Sequence, residues 1–300
     1  VAEPRHPRRL LDAEVVYAPV PDPATVGWES LTPTSRFVAD GDTVWFLTDE
    51  LRIMVRGTRE VLVDLAPGAD ESVVDHLLYG WATRILQLHA GVFSLHASVV
   101  RLDDRTVAIG GHSGAGKSTT VAALSLRYGA RLVIDDVVPV RLVDGEPIVV
   151  PFPRPVNLML DALERVGLGD QGARIGDGPY QKRAVELDAM AEPVRLDQLV
   201  GLVGWDPDPH EDWPNTVEPV VRPSAERPVV TTPVNGAERL RWIARLSNNQ
   251  GLATYGGRTG AFLEWSTAVA NVVPVVEIAR LRSADTLDEV CRQIVAGTAH

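Results

Sequence analysis

Lysine is almost missing from this 300-residue chain. Lys117 and Lys182 are the two it has, so that of 29 basic residues 27 are arginine. Arginine supplies the ordinary surface charge, which makes each lysine a candidate for a role that a compact ammonium fills and a planar guanidinium does not. Cysteine is scarcer still, and the single Cys291 excludes an intrachain disulfide. No apolar run approaches the roughly 18 residues of a membrane span, and none follows a basic start as in a signal peptide. The expected location is the cytoplasm, with no membrane partner. Basic residues are also outnumbered by 40 acidic ones, for a net charge of −11. That balance argues against nucleic acid as the partner, because such binding runs on cationic surface. For the same reason the seven tryptophans, Trp205 and Trp213 among them, read as core and loop anchors rather than a base-stacking platform.

What the chain does have is a phosphate loop, Gly111-His112-Ser113-Gly114-Ala115-Gly116-Lys117-Ser118. Thr106 to Ile109 before it reads as a strand and Ser118 to Leu126 after it as a helix, which is the strand-loop-helix context that a Walker A motif requires. The glycines let backbone N–H groups turn toward phosphate oxygens, and the helix N-terminus adds partial positive charge. Lys117 then reaches the β- and γ-phosphates and Ser118 can ligate Mg²⁺. The expected nucleotide contacts are Gly111, Ser113, Gly114, Ala115, Gly116, Lys117, Ser118 and Thr119, with ATP and Mg²⁺ as cofactors. His112 occupies a position the motif leaves free, and its side chain is expected to point outward.

With 45% hydrophobic residues the chain can bury a full core, and its length suits two unequal units. The boundary is placed near residue 90. Residues 1 to 35 carry a basic patch, Arg5 to Arg9, and a proline-rich stretch through Pro33, and read as an extended or partly disordered arm. Thr43 to Leu47, Leu51 to Val55 and Val61 to Leu65 form the pattern of a small antiparallel meander. Val73, Val74, Leu77, Leu78, Trp81, Ile85 and Leu88 recur at helical spacing, which predicts one amphipathic helix over 71–90. Residues 1–90 are thus a small α+β unit, and 91–300 hold the nucleotide-binding domain.

In that second unit Ala97 to Arg101 and Thr106 to Gly110 read as a hairpin turned at Asp103-Asp104. A helix over 117–128 ends at Gly129, and Arg131 to Ile134 is a short strand delivering Asp135-Asp136. A second hairpin pairs Val137 to Val143 with Pro147 to Val150 through Asp144-Gly145. Farther on, Val194 to Trp205 reads as strand and Asp206 to Pro219 as an acidic surface loop. Capping boxes are expected at Asn235 to Glu238 and Thr286 to Glu289, with Ala261 to Val272 helical and Val275 to Leu281 a strand.

The 18 residues between Lys117 and Asp135 fit one helix and one short strand, so the acidic pair should return opposite the phosphate loop. One carboxylate can complete a Mg²⁺ shell and its neighbour can accept the proton of an attacking hydroxyl. Adjacent strand residues point opposite ways, so both serve only if the strand ends there. Arg154 could clamp a phosphate or be ordinary surface charge, and Lys182 could touch phosphate or acceptor or be solvated. His96, before a strand, reads by itself as a satisfied core histidine as readily as a functional one.

Leu95-His96-Ala97-Ser98, the hairpin, the loop through Thr119, Gly129 and Ile134-Asp135-Asp136 together resemble HPr serine kinase and its relatives. The likeness is specific over about residues 94 to 155 and diffuse beyond, where Pro153-Arg154-Pro155 and Lys182 look like shorter relatives, some of which modify peptides. It implies an α/β fold with a phosphoenolpyruvate-carboxykinase-like P-loop kinase core. By the same resemblance His96 is the active-site histidine, Asp135 the base on the acceptor hydroxyl, and Asp136 a metal- or phosphate-linked acid. Two departures stand out. Thr119 stands where HPr kinases carry Glu, and their Arg-Gly-Leu-Gly signature is interrupted by Val166 in Glu164-Arg165-Val166-Gly167-Leu168-Gly169, so neither HPr as acceptor nor reverse phosphorylase activity is implied. The expectation is an ATP-dependent kinase acting on a hydroxyl, with a serine of a peptide or small protein as the favoured acceptor. A small-molecule hydroxyl kinase and a nucleotide-binding regulatory module without transfer are the alternatives, and a homo-oligomer is left open.

Overall fold

The computed structural model describes residues 9–32, 35–69, 72–152, 154–175, 181–209, 217–247 and 250–297. Arg5 to Arg8 of the basic patch, Pro33, Pro153, Tyr180 and residues 210–216 of the acidic loop, with Trp213, lie outside them. The chain divides into two compact units, Val1–Ser94 with Asn248–Glu264, and Leu95–Ser247 with Trp265–His300. Among the described residues no helix is long and apolar enough to cross a membrane.

The first unit is built on β1 (Arg9–Leu10), β2 (Ala13–Tyr17), β3 (Trp28–Leu31), β4 (Arg36–Asp40), β5 (Thr43–Leu47), β6 (Leu51–Arg56) and β7 (Glu60–Leu65). They form one sheet in the order β1-β2-β7-β6-β5-β4-β3. The expected meander is present as β5, β6 and β7, paired antiparallel. The described part of the expected arm is strand and anchored strap. β2 runs parallel to β7 with Glu14 opposite Glu60, while β3 and β4 make a hairpin on β5. Between them Val20 is buried with Val38, Trp45 and Met54, and the Trp45 indole donates to the Pro21 carbonyl at 3.0 Å. The expected single helix appears as α1 (Ser72–Leu77), a π-helical turn Leu78–Ala82 and α2 (Thr83–His89). The Thr83 hydroxyl donates to the Leu78 carbonyl across that turn at 3.0 Å. The widened turn sets Trp81 against Phe37 and Phe46, at ring separations of 6.2 and 5.8 Å.

In the second unit β8 (Ser94–Leu102) and β9 (Arg105–Gly111) form the first hairpin, and α3 (Lys117–Tyr128) follows the phosphate loop and stops at left-handed Gly129. Next come β10 (Arg131–Ile134), β11 (Val137–Val143) and β12 (Glu146–Val149), with Asp144 and Gly145 both at positive φ in the tight turn. Then β13 (Val156–Met159), α4 (Leu160–Val166), β14 (Ala173–Ile175) and β15 (Lys182–Val185) build a small three-stranded sheet that no sequence period announced. The remaining elements are β16 (Val194–Arg195), β17 (Gln198–Trp205), β18 (Val229–Val234), α5 (Ala237–Leu246), α6 (Gln250–Tyr255), α7 (Thr259–Val272), β19 (Val275–Leu281) and α8 (Leu287–Ala296), of which α6 and the part of α7 up to Glu264 belong to the first unit. The run expected as one strand from Val194 to Trp205 is split at Leu196-Asp197, since β16 joins β12 at one edge while β17 enters the middle of the sheet. The acidic loop, where described, carries neither helix nor strand, as expected.

Nine strands make the main sheet, in the order β16-β12-β11-β8-β9-β17-β19-β18 with β10 also on β8. β9, β17 and β19 run parallel, so their carboxyl ends share one edge. All eight residues of β17 are buried, the mark of a strand covered on both faces. On one face Val121 and Leu124 of α3, Leu163 of α4, and Val290 and Ile294 of α8 pack on Ile109, Val200, Leu202 and Ile278. On the other, α5 lies so close that a Cβ on Gly110 or Gly201 would meet Leu246 or Trp242 at under 3 Å. Neither expected capping box forms. Gly236, at φ 56, takes the N-cap position of α5 and displaces Asn235 from it, and Thr286 caps α8 without a side-chain bond. The result is a mixed α/β protein with several sheets.

Candidate active site

The phosphate loop leaves β9 at the shared carboxyl edge and enters α3. Gly111, Gly114 and Gly116 have φ values of 155, 77 and 97°. Those conformations disfavour any L side chain, and a Cβ on Gly111 would also sit 2.7 Å from the Leu202 carbonyl oxygen. The first intrahelical bond of α3 runs from Thr120 N to Gly116 O at 2.8 Å. The N–H groups of Lys117, Ser118 and Thr119 precede it, where a helix offers no partner of its own. Lys117 is only 9% exposed, and its ammonium donates to the carbonyls of Gly111 at 2.8 Å and His112 at 3.2 Å. The loop is thus wrapped around its own lysine. Ser113 and Gly114 stand exposed at its tip, Ala115 is buried, and Ser118 and Thr119 are half-buried.

β10 brings the acidic pair to this place by pairing with β8. Asp136 has φ 70°, so the chain turns there and the two acids escape strand alternation. Asp135 is 7% exposed and accepts a short hydrogen bond from the Ser98 hydroxyl, itself fully buried on β8. Asp136 lies with one carboxylate oxygen 3.0 Å from His96 Nδ1 and the other 3.4 Å from an Arg154 guanidinium nitrogen. That nitrogen also donates to the Asp135 carbonyl at 3.0 Å. His96 and Ser98 are two apart on β8 and therefore share a face, and Ser98 pairs with Ile109, whose side chain packs in the α3 core. His96, Ser98, Asp135, Asp136 and Arg154 form one connected cluster.

Burial pushes the Asp135 carboxyl above the ordinary carboxylate range; the Ser98 hydrogen bond works against it, the Asp136 charge with it, and Arg154 and Lys117 against it. Lys117 is therefore near enough to act on Asp135 electrostatically. His112 does not point simply outward, as the sequence suggested. Its Nε2 is buried and has no hydrogen-bond partner among the described residues. Burial, then Arg245, Lys117 and His96, lower its pKa and favour the neutral ring.

Arg154 joins the cluster, but Lys182 does not. It stands on β15 opposite Met159, and alternation puts it on the face away from Arg183 and the buried Val185. Among the described residues no hydrogen bond or ion pair links it to the acids or the loop. Two further residues touch the loop or the acidic pair. Ser98 was legible in principle, two places after His96 on the same strand. Arg280, at the end of β19, donates to the Ala115 carbonyl at 3.1 and 3.4 Å, and nothing local to its sequence signals that contact.

No family model matches the chain, and no curated protein matches it. Among solved structures, the HPr(Ser) kinase/phosphatase from Coxiella burnetii aligns with 67% of this chain and 87% of its own, at 15% identity and a TM-score of 0.31. A likeness of that size carries no argument about the chemistry, which rests on the residues themselves.

Proposed function

We propose that this protein is an ATP-dependent phosphotransferase of the HPr-kinase-like class, with a phosphoenolpyruvate-carboxykinase-like P-loop core in its second unit, moving the γ-phosphoryl group to a hydroxyl. The observation that carries this reading is a buried carboxyl, Asp135, within electrostatic reach of the lysine of a glycine-built loop. A binding module needs the loop alone, whereas a carboxyl held beside it suits proton transfer. The left-handed glycines, the N–H groups at the start of α3 and Lys117 suit a triphosphate. Mg²⁺ would be held by the Ser118 hydroxyl and the Asp136 carboxylate and would supply charge neutralisation on the phosphates.

In this reading the acceptor oxygen attacks the γ-phosphorus, the bond to the β,γ-bridging oxygen breaks, and the acceptor's proton passes to Asp135. Ser98 fixes the orientation of that carboxylate. Once ionised, a carboxylate of raised pKa is a stronger base than an ordinary one. His96 and Arg154 hold Asp136 and the turn in place, and Arg154 also offers a guanidinium to the transferring group. Lys182 is kept as a proposed acceptor contact. The favoured acceptor is a serine of a peptide or small protein. The test is to incubate protein and γ-labelled ATP with a lysate split into peptide and metabolite fractions, beside the Asp135→Asn variant. Label in peptide supports the reading, label in metabolites alone replaces the acceptor class, and equal labelling by the variant removes Asp135 as base.

A further inference from the structure

Arg280 is the last-but-one residue of β19, where the parallel strands end beside the phosphate loop. Its guanidinium reaches the Ala115 carbonyl through two nitrogens, and one of them would lie 3.1 Å from a Cβ placed on Gly116. It is therefore packed against the Ala115–Gly116 peptide, the last link before Lys117. Phosphate loops present N–H groups to the anion, so a guanidinium on the Ala115 carbonyl meets this peptide on the side that an anion does not use. Among the described residues no carboxylate pairs with Arg280. The neighbouring charges are of its own sign, since burial, Arg165 and Arg282 all lower its pKa. A guanidinium largely withdrawn from water in such company is unfavourable unless an anion arrives.

We propose that Arg280 is a positioning residue for the nucleotide: through its contact with the Ala115 carbonyl it keeps, behind the loop, a positive charge that a bound triphosphate offsets. The inference rests on the loop being a nucleotide site, and it adds that affinity depends on a residue 164 positions after Gly116 in the chain. It also separates two roles that an ordinary brace would combine. A brace stabilises the nucleotide-free protein, whereas a charge waiting for an anion does not.

The experiment measures the melting temperature of nucleotide-free protein and the Kd for MgATP and MgADP in wild type, Arg280→Met and Arg280→Lys. The expected result for Arg280→Met is a nucleotide-free melting temperature equal to or above wild type, with affinity for MgATP weakened about ten- to a hundredfold, the size of one charged contact. Arg280→Lys, which keeps the charge, should recover most of that affinity. A large fall in the nucleotide-free melting temperature of Arg280→Met, or its failure to fold, would show a structural brace and overturn the proposal. A lysine variant as weak as the methionine one overturns the role of charge. If wild type binds MgATP and Arg280→Met binds it equally, this inference alone fails; if wild type does not bind it, the proposed function fails first.

Discussion

The two units bury different things. Among the described residues of the first unit the buried polar side chains are Thr43, Thr83, Gln87 and Ser94, none of them ionisable, and its charges form exposed pairs such as Arg56 with Glu60. The second unit buries Lys117, Asp135 and Glu277. Withdrawing a charge from water is costly, so it persists where hydrogen bonds and opposite charges compensate it and where a task requires it. Glu277 illustrates the structural case, because it accepts from the Val220 amide at 2.6 Å and so ties down the chain after the acidic loop. Lys117 and Asp135 are compensated differently, the ammonium by the Gly111 and His112 carbonyls and the carboxyl by the Ser98 hydroxyl, and the two are near enough to act on each other electrostatically. The first unit thus keeps its charges at the surface, while the second buries ionisable groups.

The strongest way to break that contrast is Lys117→Ala. Removing the loop's cation should weaken MgATP binding by on the order of a hundredfold or more, as losing a buried charged contact does. Calorimetric titration giving wild-type affinity in this variant would sink the nucleotide assignment. Next in size, Asp135→Asn should lower phosphoryl transfer by roughly 10²–10⁴ while leaving MgATP affinity within several-fold. Stability should move the other way. The raised carboxyl holds its proton more tightly folded than unfolded, so its contribution is full below the ordinary value, about 3.9, and declines as pH rises from there through the raised folded value. Above that window, in metal- and nucleotide-free protein, the asparagine variant should be at least as stable as wild type, which denaturant titrations at several pH values would check.

Ile53→Ala, at a fully buried position on β6, should cost about 2–5 kcal/mol through its cavity. Its loss should be the same at pH 5 and pH 8, because no ionisable group is buried among the described residues of that unit. A strongly pH-dependent loss would mean that the first unit hides a titrating group after all. The smallest effect belongs to Arg56→Ala, which removes an exposed ion pair with Glu60. A change of about 0.2–1 kcal/mol is expected, shrinking further in high salt.

The parts of the second unit with strong local signals were legible in the chain. The strand, glycine turn and helix around Gly111 to Ser118, the two hairpins with their Asp103 and Asp144-Gly145 turns, the stop at Gly129 and the short strand before Asp135 all depend on neighbours within a few residues. The first unit shows the converse. Its proline-rich start looked like an arm because β2 acquires its meaning only opposite β7, and Val20 only beneath Trp45. Similarly, β13, β14 and β15 are short and become a sheet only by pairing with one another, and residues 248–264 return to the first unit with no composition shift to mark it.

By itself the sequence determined the turns, helix ends and glycine conformations and the order in which the candidate residues arrive, since backbone dihedrals there are set locally. It could not say that Ser98 would hold Asp135, that His96 and Arg154 would converge on Asp136, or that Arg280 would reach around to Ala115. Those contacts were decided by strand order and register. Register places a side chain relative to partners far away in sequence, and it follows from which apolar faces bury one another across the whole fold.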